Sequence, residues 1–250
     1  LKWCAGKLRS VMGSATGDAS ASDSAPSSGQ AGPGAMALPP KVSQPVESVE
    51  GEVVVRFATS EDGKNSELVR ALTELVNEAY RGAVDGIVSN KEDFVRIDED
   101  EMQERCHGIG YGAMKRFLVL AFIGDEVAGC CSCTLGWQGV DVLGQFGMLA
   151  VHPSFQRKGI ATKLIDFSEK FCLEQGIVVM QCEERTCTDG SHPVSNWMMK
   201  FYQERLKYKI VKKYYSPKGS FSRGAVSVKD CEFLIYHKVI NQEAYEKLQR

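Results

Sequence analysis

The chain has 250 residues, of which 43% are apolar and 25% are charged, a composition typical of a globular protein with one domain or two small ones. Thirty basic and 32 acidic side chains leave a net charge of −2, which argues against a nucleic-acid partner or an anionic membrane surface. No segment approaches the run of about 18 apolar residues that a membrane span requires. Nine scattered cysteines in a chain of this size favour a reducing compartment, so we expect a cytoplasmic protein.

The first 50 residues predict a disordered tail. Residues 10–40 contain 23 Ala, Ser, Gly or Pro residues and almost no side chain that could be buried. The first 17 residues carry three basic side chains and no acidic one, so an organelle-targeting segment is the alternative interpretation. We therefore divide the chain into a tail (1–50), one domain (51–240) and a C-terminal tail (241–250).

The first half of the domain predicts a strand, two helices and a hairpin. A short β-branched strand over 53–57 precedes a helix over 68–80, where apolar side chains recur every four residues. The acidic, loosely periodic stretch 91–106 predicts a second helix that borders a cleft. Two apolar runs, 117–123 and 127–134, flank a Gly-containing turn and predict a hairpin.

The second half predicts a strand–helix–strand unit. It consists of a strand over 146–151, a helix over 159–174 and a strand over 177–182, and its short crossover favours a parallel pair. The remaining predicted elements are a helix near 194–205 and strands near 208–215 and 231–239. The order as a whole predicts a mixed α/β sheet.

The turn that opens the predicted helix over 159–174 carries the clearest chemical signal, Gln156-Arg157-Lys158-Gly159-Ile160-Ala161-Thr162. A glycine there lets the backbone approach a ligand closely, and the first-turn N–H groups and the helix dipole favour an anion such as a pyrophosphate. Arg157 and Lys158 add mobile cations. On chemistry alone, the alternative is an ordinary strand-to-helix turn.

The strand before this turn completes a longer motif. Met148 to Pro153 is a strand ending in hydrophobic-Val-x-Pro, and Gln156-x-x-Gly159-x-Ala161 follows it. Together they resemble motif A of the GCN5-related N-acetyltransferase (GNAT) family, and the element order resembles the family over nearly the whole domain. The resemblance implies an α/β fold with a mixed, mostly antiparallel sheet, in which the central parallel strands splay and helices flank both faces.

The same resemblance implies a site and a reaction. Acetyl-CoA would be the cosubstrate, and its acetyl group would pass directly to a primary amine of a small molecule or a peptide. Leu149 and Val151 would contact the pantetheine arm, and backbone N–H groups around Leu149 would stabilise the developing oxyanion. The implied contacts to the pyrophosphate are Gln156, Arg157, Lys158, Gly159, Ile160 and Ala161. Relatives are often homodimers, so the resemblance makes a homodimer a candidate assembly, although the sequence itself indicates no oligomeric state.

The chain departs from the family pattern at the usual general base. Many relatives have a glutamate where this chain has Gln145, and an amide cannot take a proton at neutral pH. Glu183, Glu184, Asp141 or a chain of water molecules could replace it. We favour Glu183, because its strand lines the same cleft in relatives.

A second departure concerns the late helix, where relatives often have Asn and, seven residues on, Tyr. Tyr202 minus seven is Ser195, whereas Asn196 plus seven is Gln203. Aligning Tyr202 with the family tyrosine requires one inserted residue in the turn that follows. The two alignments differ by one helix position, which rotates a side chain by about 100°, so they place different residues at the site. We choose Tyr202 as the acid that protonates the departing thiolate, and its alternative role is a buried core aromatic. Asn196 remains a candidate CoA contact.

Two function classes follow from these residues. The first is an N-acetyltransferase. The second is a catalytically impaired module that binds or senses acyl-CoA, an alternative that rests on Gln145 and on the register of Tyr202. Cys182, Cys187 and His192 lack the spacing of a zinc site, so we expect no metal.

Overall fold

The computed structural model describes residues 52–111, 114–140 and 142–249, so the tail expected over 1–50 and the candidate base Asp141 lie outside the described residues. In chain order the strands and α-helices are β1 (Val53–Phe57), α1 (Ser60–Lys64), α2 (Ser66–Val84), α3 (Glu99–His107), β2 (Ile109–Tyr111), β3 (Met114–Ile123), β4 (Glu126–Leu135), β5 (Leu143–Val151), α4 (Ile160–Glu174), β6 (Val179–Cys187), α5 (Pro193–Lys200), β7 (Lys209–Ser216), β8 (Phe221–Ser222), β9 (Ala225–Val226), β10 (Cys231–Val239) and α6 (Gln242–Gln249). A π-helical turn, Phe201–Arg205, continues α5. Within these residues, no helix is both long and apolar enough to cross a bilayer.

The main sheet has eight strands in the order β1-β3-β4-β5-β6-β10-β7, with β2 beside β3. The β5–β6 pair is parallel, and the other neighbours are antiparallel. The strand–helix–strand unit predicted from the short crossover is therefore confirmed. So is the fold class, a mixed and mostly antiparallel sheet flanked by helices.

Helices cover both faces of the sheet. On one face, Phe146 of β5 and Leu164 of α4 belong to one buried cluster. On the other face, Leu120 of β3 packs in a second cluster with Leu72 of α2 and Met102 of α3. Burying each such side chain stabilises the fold by about 1.5–3 kcal/mol. The helices predicted from apolar stripes in the sequence therefore pack with those stripes against the sheet.

The stretch expected as a C-terminal tail contains a helix, α6. Its Leu248 is buried in a cluster with Leu143 of β5 and Val179 of β6. The prediction of a tail missed this helix because α6 has few apolar side chains, Ala244, Tyr245 and Leu248, too short a pattern to indicate a helix.

Two loops join to form a wall beside the sheet. The loop after α2 pairs with the loop between β7 and β10: Ser89 N–H donates to Val226 O (2.8 Å) and Val228 N–H to Ile87 O (2.8 Å). Further along, Val95 N–H donates to Arg223 O at 3.0 Å. These backbone bonds join the two loops, and Ile87 and Ala225 pack in one buried cluster with Cys187 at the end of β6.

Candidate active site

The central parallel strands part after three residue pairs. Pairing of β5 with β6 runs from Leu143–Val179 to Gln145–Gln181 and then stops. On the other edge of β5, the ladder to β4 shifts register, so that Met148 and Leu149 lie opposite one residue of β4. Met148 has a φ of 48°. This β-bulge bends β5 away from β6 and opens a gap between the two strands.

The backbone of Val151 points into this gap. In an antiparallel ladder, successive residues direct their N–H and C=O groups alternately towards and away from the partner strand. The next residue, His152, donates its N–H to Ala128 O at 2.9 Å, so Val151 directs its own groups away from β4. Leu149 lies in the bulge and is half-buried. Both residues predicted to contact the pantetheine arm therefore border the gap.

The N-terminus of α4 lies at the end of the same strand. Gly159 is its N-cap, with a φ of 82°, and no side chain caps the helix. The first-turn N–H groups, those of Ile160 and Ala161 included, thus have no intrahelical or capping partner. A Cβ placed on Gly159 would meet no atom within 4 Å. The turn therefore offers open space, free donors and a favourable dipole to an anion.

Side chains of the turn fix its position relative to the strand. The Gln156 amide lies 3.4 Å from Val151 O and donates to it. Arg157 adopts a φ of 62°, and the Lys158 ammonium lies 5.3 Å from the centre of the Phe155 ring. Arg157 and Lys158, predicted as pyrophosphate contacts, directly precede the Gly159 N-cap of α4.

Glu183 lies directly beside the position of the missing base. Gln145 Nε2 approaches Glu183 Oε1 at 3.4 Å, and Gln181 Nε2 donates to the same oxygen at 3.0 Å. His237 of β10 in turn fixes Gln181, because its Nε2 lies 2.9 Å from Gln181 Oε1. Glu183 is exposed, but the surrounding protein partly desolvates its carboxyl and raises its pKa, and the Gln181 donor offsets part of that rise. The preferred substitute base is thus held by a chain of amides on one sheet face.

Glu184 points to the opposite face of the sheet, as strand alternation requires. Its Oε2 accepts from the Tyr236 hydroxyl at 3.1 Å, and its Oε1 is buried without a partner in the described part of the chain. Burial raises the pKa of this carboxyl to about 8.

Tyr202 lies on the Glu184 face of the sheet. Its ring packs 6.0 Å from Phe146 and 5.3 Å from Tyr236, centre to centre. Burial raises the pKa of Tyr202 well above its ordinary value, and nearby Glu184 adds to the rise. A phenol in this setting keeps its proton at neutral pH.

The π-helical turn explains the register of the late helix. Leu206 N–H donates to Phe201 O at 3.1 Å, an i→i+5 bond that encloses one residue more than an α-helical turn. Tyr202 is therefore buried and Gln203 exposed, while Leu206 still reaches the core. The π-helical turn thus holds one extra residue inside the helix, whereas the Tyr202 register was expected to place it in the turn that follows.

Sequence comparison identifies the family. Residues 69–205, more than half of the chain, match the model of the acetyltransferase (GNAT) family. The chain belongs to the GNAT family.

Solved structures share this GNAT fold. An acetyltransferase of the GNAT family from Streptococcus pneumoniae is 16% identical, with a TM-score of 0.51 over 76% of this chain and 100% of that one. A GNAT-family protein from Desulfovibrio desulfuricans is 17% identical, with a TM-score of 0.50 over 76% of this chain and 99% of that one. Identities this low show the shared fold alone. No curated protein matches the sequence.

Asn196, the other candidate in this GNAT helix, lies on the exposed side of α5. Its Nδ2 donates to Gly190 O at 2.8 Å, in the loop before the helix. Ser195, by contrast, is buried, and its hydroxyl donates to Arg185 O at 2.9 Å. Asn196 lines a shallow depression with Met199 and Gln203, away from the base and the acid.

The residues that might have suggested zinc are not brought together. Both ring nitrogens of His192 are engaged, one with Ser195 Oγ at 2.9 Å and the other with Asp85 O at 3.1 Å. Among the residues described, no group of three or more His, Cys, Asp or Glu could hold a metal ion.

Two features of the site were missed by the sequence analysis. One is the support of Glu183 by Gln181 and His237, which depends on the pairing of β6 with β10. The other is Arg185, which shares a strand face with Glu183. The i, i+2 spacing of Glu183 and Arg185 was a usable signal, because residues two apart in a strand point the same way.

Proposed function

We propose that this acetyltransferase moves the acetyl group of acetyl-CoA directly to a primary amine. The observation that carries the proposal is the gap between β5 and β6, which ends at the uncapped N-terminus of α4. A gap lined by free backbone donors suits an extended pantetheine arm, and a free helix N-terminus suits its pyrophosphate.

The cosubstrate would be held mainly by backbone groups. The pyrophosphate would lie against the amides of the turn from Gln156 to Ala161, with Arg157 and Lys158 as flexible cations. The pantetheine arm would run along β5 at Leu149 and Val151. Acetyl-CoA supplies a thioester, and backbone N–H groups around Leu149 would stabilise the oxyanion that develops on its carbonyl.

Glu183 and Tyr202 would carry the proton transfers. Glu183 removes a proton from the ammonium form of the acceptor, and the free amine then attacks the thioester carbonyl carbon. The carbon–sulfur bond breaks, and Tyr202 donates its proton to the departing thiolate. Glu183 passes its proton to solvent, the attacking nitrogen loses its second proton to solvent, and solvent returns a proton to the Tyr202 phenolate. The products are therefore an amide, free CoA thiol and one proton.

The raised pKa of Glu183 supports the role of base. A carboxyl whose pKa is raised towards neutrality by partial desolvation is a better general base near pH 7 than a fully solvated glutamate. Its oxygen, 3.4 Å from Gln145 Nε2, provides a carboxylate next to the position where relatives have one. This neighbour argues for an active enzyme over a catalytically impaired CoA-binding module.

Two assays on the wild-type chain test the proposal. Calorimetry should show CoA binding, and a thiol-detecting reagent should report CoA release when acetyl-CoA is supplied with a panel of primary amines. Binding without any amine-dependent thiol release would favour the impaired module. Absence of CoA binding at millimolar concentration would reject both functions.

A further inference from the structure

The Arg185 guanidinium has an unsatisfied pair of donors. Its Nε and Nη2 are buried and have no hydrogen-bond partner among the described residues. A buried donor that is left unpaired destabilises the folded protein, so each such atom requires an explanation. Nε and Nη2 project from the same side of the guanidinium, and together they form a fork that matches the two oxygens of a carboxylate.

Arg185 differs in this respect from the other arginines with buried unpaired atoms. Arg81, Arg96 and Arg105 each leave one such nitrogen, whereas Arg185 leaves both members of a fork. The Arg185 guanidinium also lies 5.7 Å from the centre of the Phe233 ring, directly across on β10. This contact is made by the guanidinium itself, and Nε and Nη2 stay buried without a partner among the described residues.

Arg185 and Glu183 share one face of β6. They are two residues apart, so their Cα atoms are separated by about 6.6 Å. Within the described part of the chain, neither side chain takes part in an ion pair. Both lie beyond Gln181, where β6 has left β5. The face therefore presents one unpaired negative and one unpaired positive group beside the gap.

We infer that the acceptor amine also carries a carboxylate, as free amino acids and short peptides do. The inference rests on the proposed function, because it takes Glu183 as the group that receives the amine. The carboxylate would accept hydrogen bonds from Nε and Nη2 of Arg185. This half-buried side chain would change its rotamer so that both donors reach the carboxylate. The acceptor thus satisfies both donors that the free protein leaves unpaired.

The size of the effect follows from the hydrogen bonds. A bond to a charged group contributes about 1.5–3 kcal/mol, which corresponds to about 10- to 100-fold in binding or in kcat/KM. We therefore expect an acceptor with a carboxylate to be preferred by this factor over the same acceptor as its carboxamide.

The test uses amino acids and dipeptides, each paired with its C-terminal carboxamide. Wild-type protein with acetyl-CoA should prefer the carboxylate member of a pair by about 10- to 100-fold in kcat/KM, mainly through KM. Arg185→Met keeps an unbranched side chain opposite Phe233 but removes the fork. The preference for the carboxylate member should therefore vanish, while the rates with carboxamides stay within a factor of two or three of wild type. Arg70→Gln removes an exposed arginine of α2 as the matched control and should leave the preference intact.

A binding readout separates the two proposals. With CoA present, the carboxylate member should raise the melting temperature of wild-type protein and fail to do so in Arg185→Met. Arg185→Met alone should melt at the wild-type temperature or above, because it removes two unsatisfied donors. Equal use of both members of every pair, unchanged by Arg185→Met, would overturn the inference and leave the acetyltransferase intact. No turnover and no stabilisation by any acceptor, despite CoA binding, would overturn both.

Discussion

At the scale of single residues, the site divides its proton chemistry between two faces of one strand. Glu183 and Glu184 are adjacent in β6, yet one contacts the amides of Gln145 and Gln181 while the other contacts the Tyr236 hydroxyl. Their neighbours therefore differ completely. Desolvation by the surrounding protein raises the pKa of both carboxyls, so position relative to the gap, and not acidity, distinguishes the base.

Glu183→Gln should lower kcat/KM by about 10²- to 10⁴-fold, because a glutamine cannot take the acceptor proton. The wild-type rate should fall as pH drops through the raised pKa of Glu183, since the base must be ionised, and this fall should lie above the ordinary glutamate range. Steady-state rates from pH 5 to 9 measure both effects.

Glu184→Gln is the matched control for that experiment. The substitution removes a neighbouring carboxyl on the other face and should change the rate by less than about 10-fold, with the acidic limb of the profile retained. If Glu183→Gln left the steady-state rate unchanged and Glu184→Gln lowered it strongly, Glu184 would be the base instead.

Tyr202→Phe keeps the aromatic packing against Phe146 and Tyr236 and removes the proton. A donor needed only as charge develops on sulfur should lower kcat by about 10²-fold and leave KM for acetyl-CoA nearly unchanged. The exposed Tyr214→Phe in β7 serves as the control and should match wild type. A Tyr202→Phe enzyme with wild-type kcat would show that Tyr202 is a core aromatic only.

At the scale of elements, the start of helix α4 holds the pyrophosphate in this account. Gly159→Glu should reduce CoA affinity at least about 100-fold, since an anionic side chain would occupy the open space beside the helix N-terminus. Calorimetry measures the affinity, and circular dichroism checks the fold.

Gly176→Glu supplies a control at the other end of the same helix. Gly176 has a φ of 80° and equally open surroundings, so the same strain of about 1–2 kcal/mol arises without any effect on the pyrophosphate site. Gly176→Glu should bind CoA like wild type. Equal loss of binding in both variants would show that strain, and not occupancy of the site, causes the defect.

The π-helical turn makes a second prediction for an element. Deleting the exposed Gln203 should let the turn close as an α-helix with Tyr202 and Leu206 both still in the core, so the melting temperature should change little. Deleting the exposed Trp197 instead should rotate Ser195 away from Arg185 O by about 100° and lower stability markedly. Equal destabilisation by the two deletions would refute the assignment of the inserted residue.

At the scale of the whole molecule, local sequence patterns predicted most helices and strands but not the contacts between residues distant in sequence. The period-four stripe of α2 and the β-branched strand β1 are properties of short segments, and both were predictable. Helix α6 and the pairing of the loops near Ser89 and Val226 depend on partners distant in sequence, and their own residues carry little pattern.

The candidate site shows the same division. The turn at Gly159 was predictable because its chemistry belongs to consecutive residues. The support of Glu183 by Gln181 and His237 required the register of three strands, and the unpaired fork of Arg185 required atomic positions. Residues that act through neighbours on other strands are therefore the ones that sequence analysis misses.

The most direct test of the account is a single-turnover experiment with acetyl-CoA and an acceptor amine, followed by mass spectrometry of both the protein and the acceptor. Direct transfer predicts one acetyl group on the acceptor nitrogen, one equivalent of free CoA thiol and no acetyl group on the protein at any time. An acetylated protein that forms before the product, or thiol release without an acetylated amine, would contradict the account.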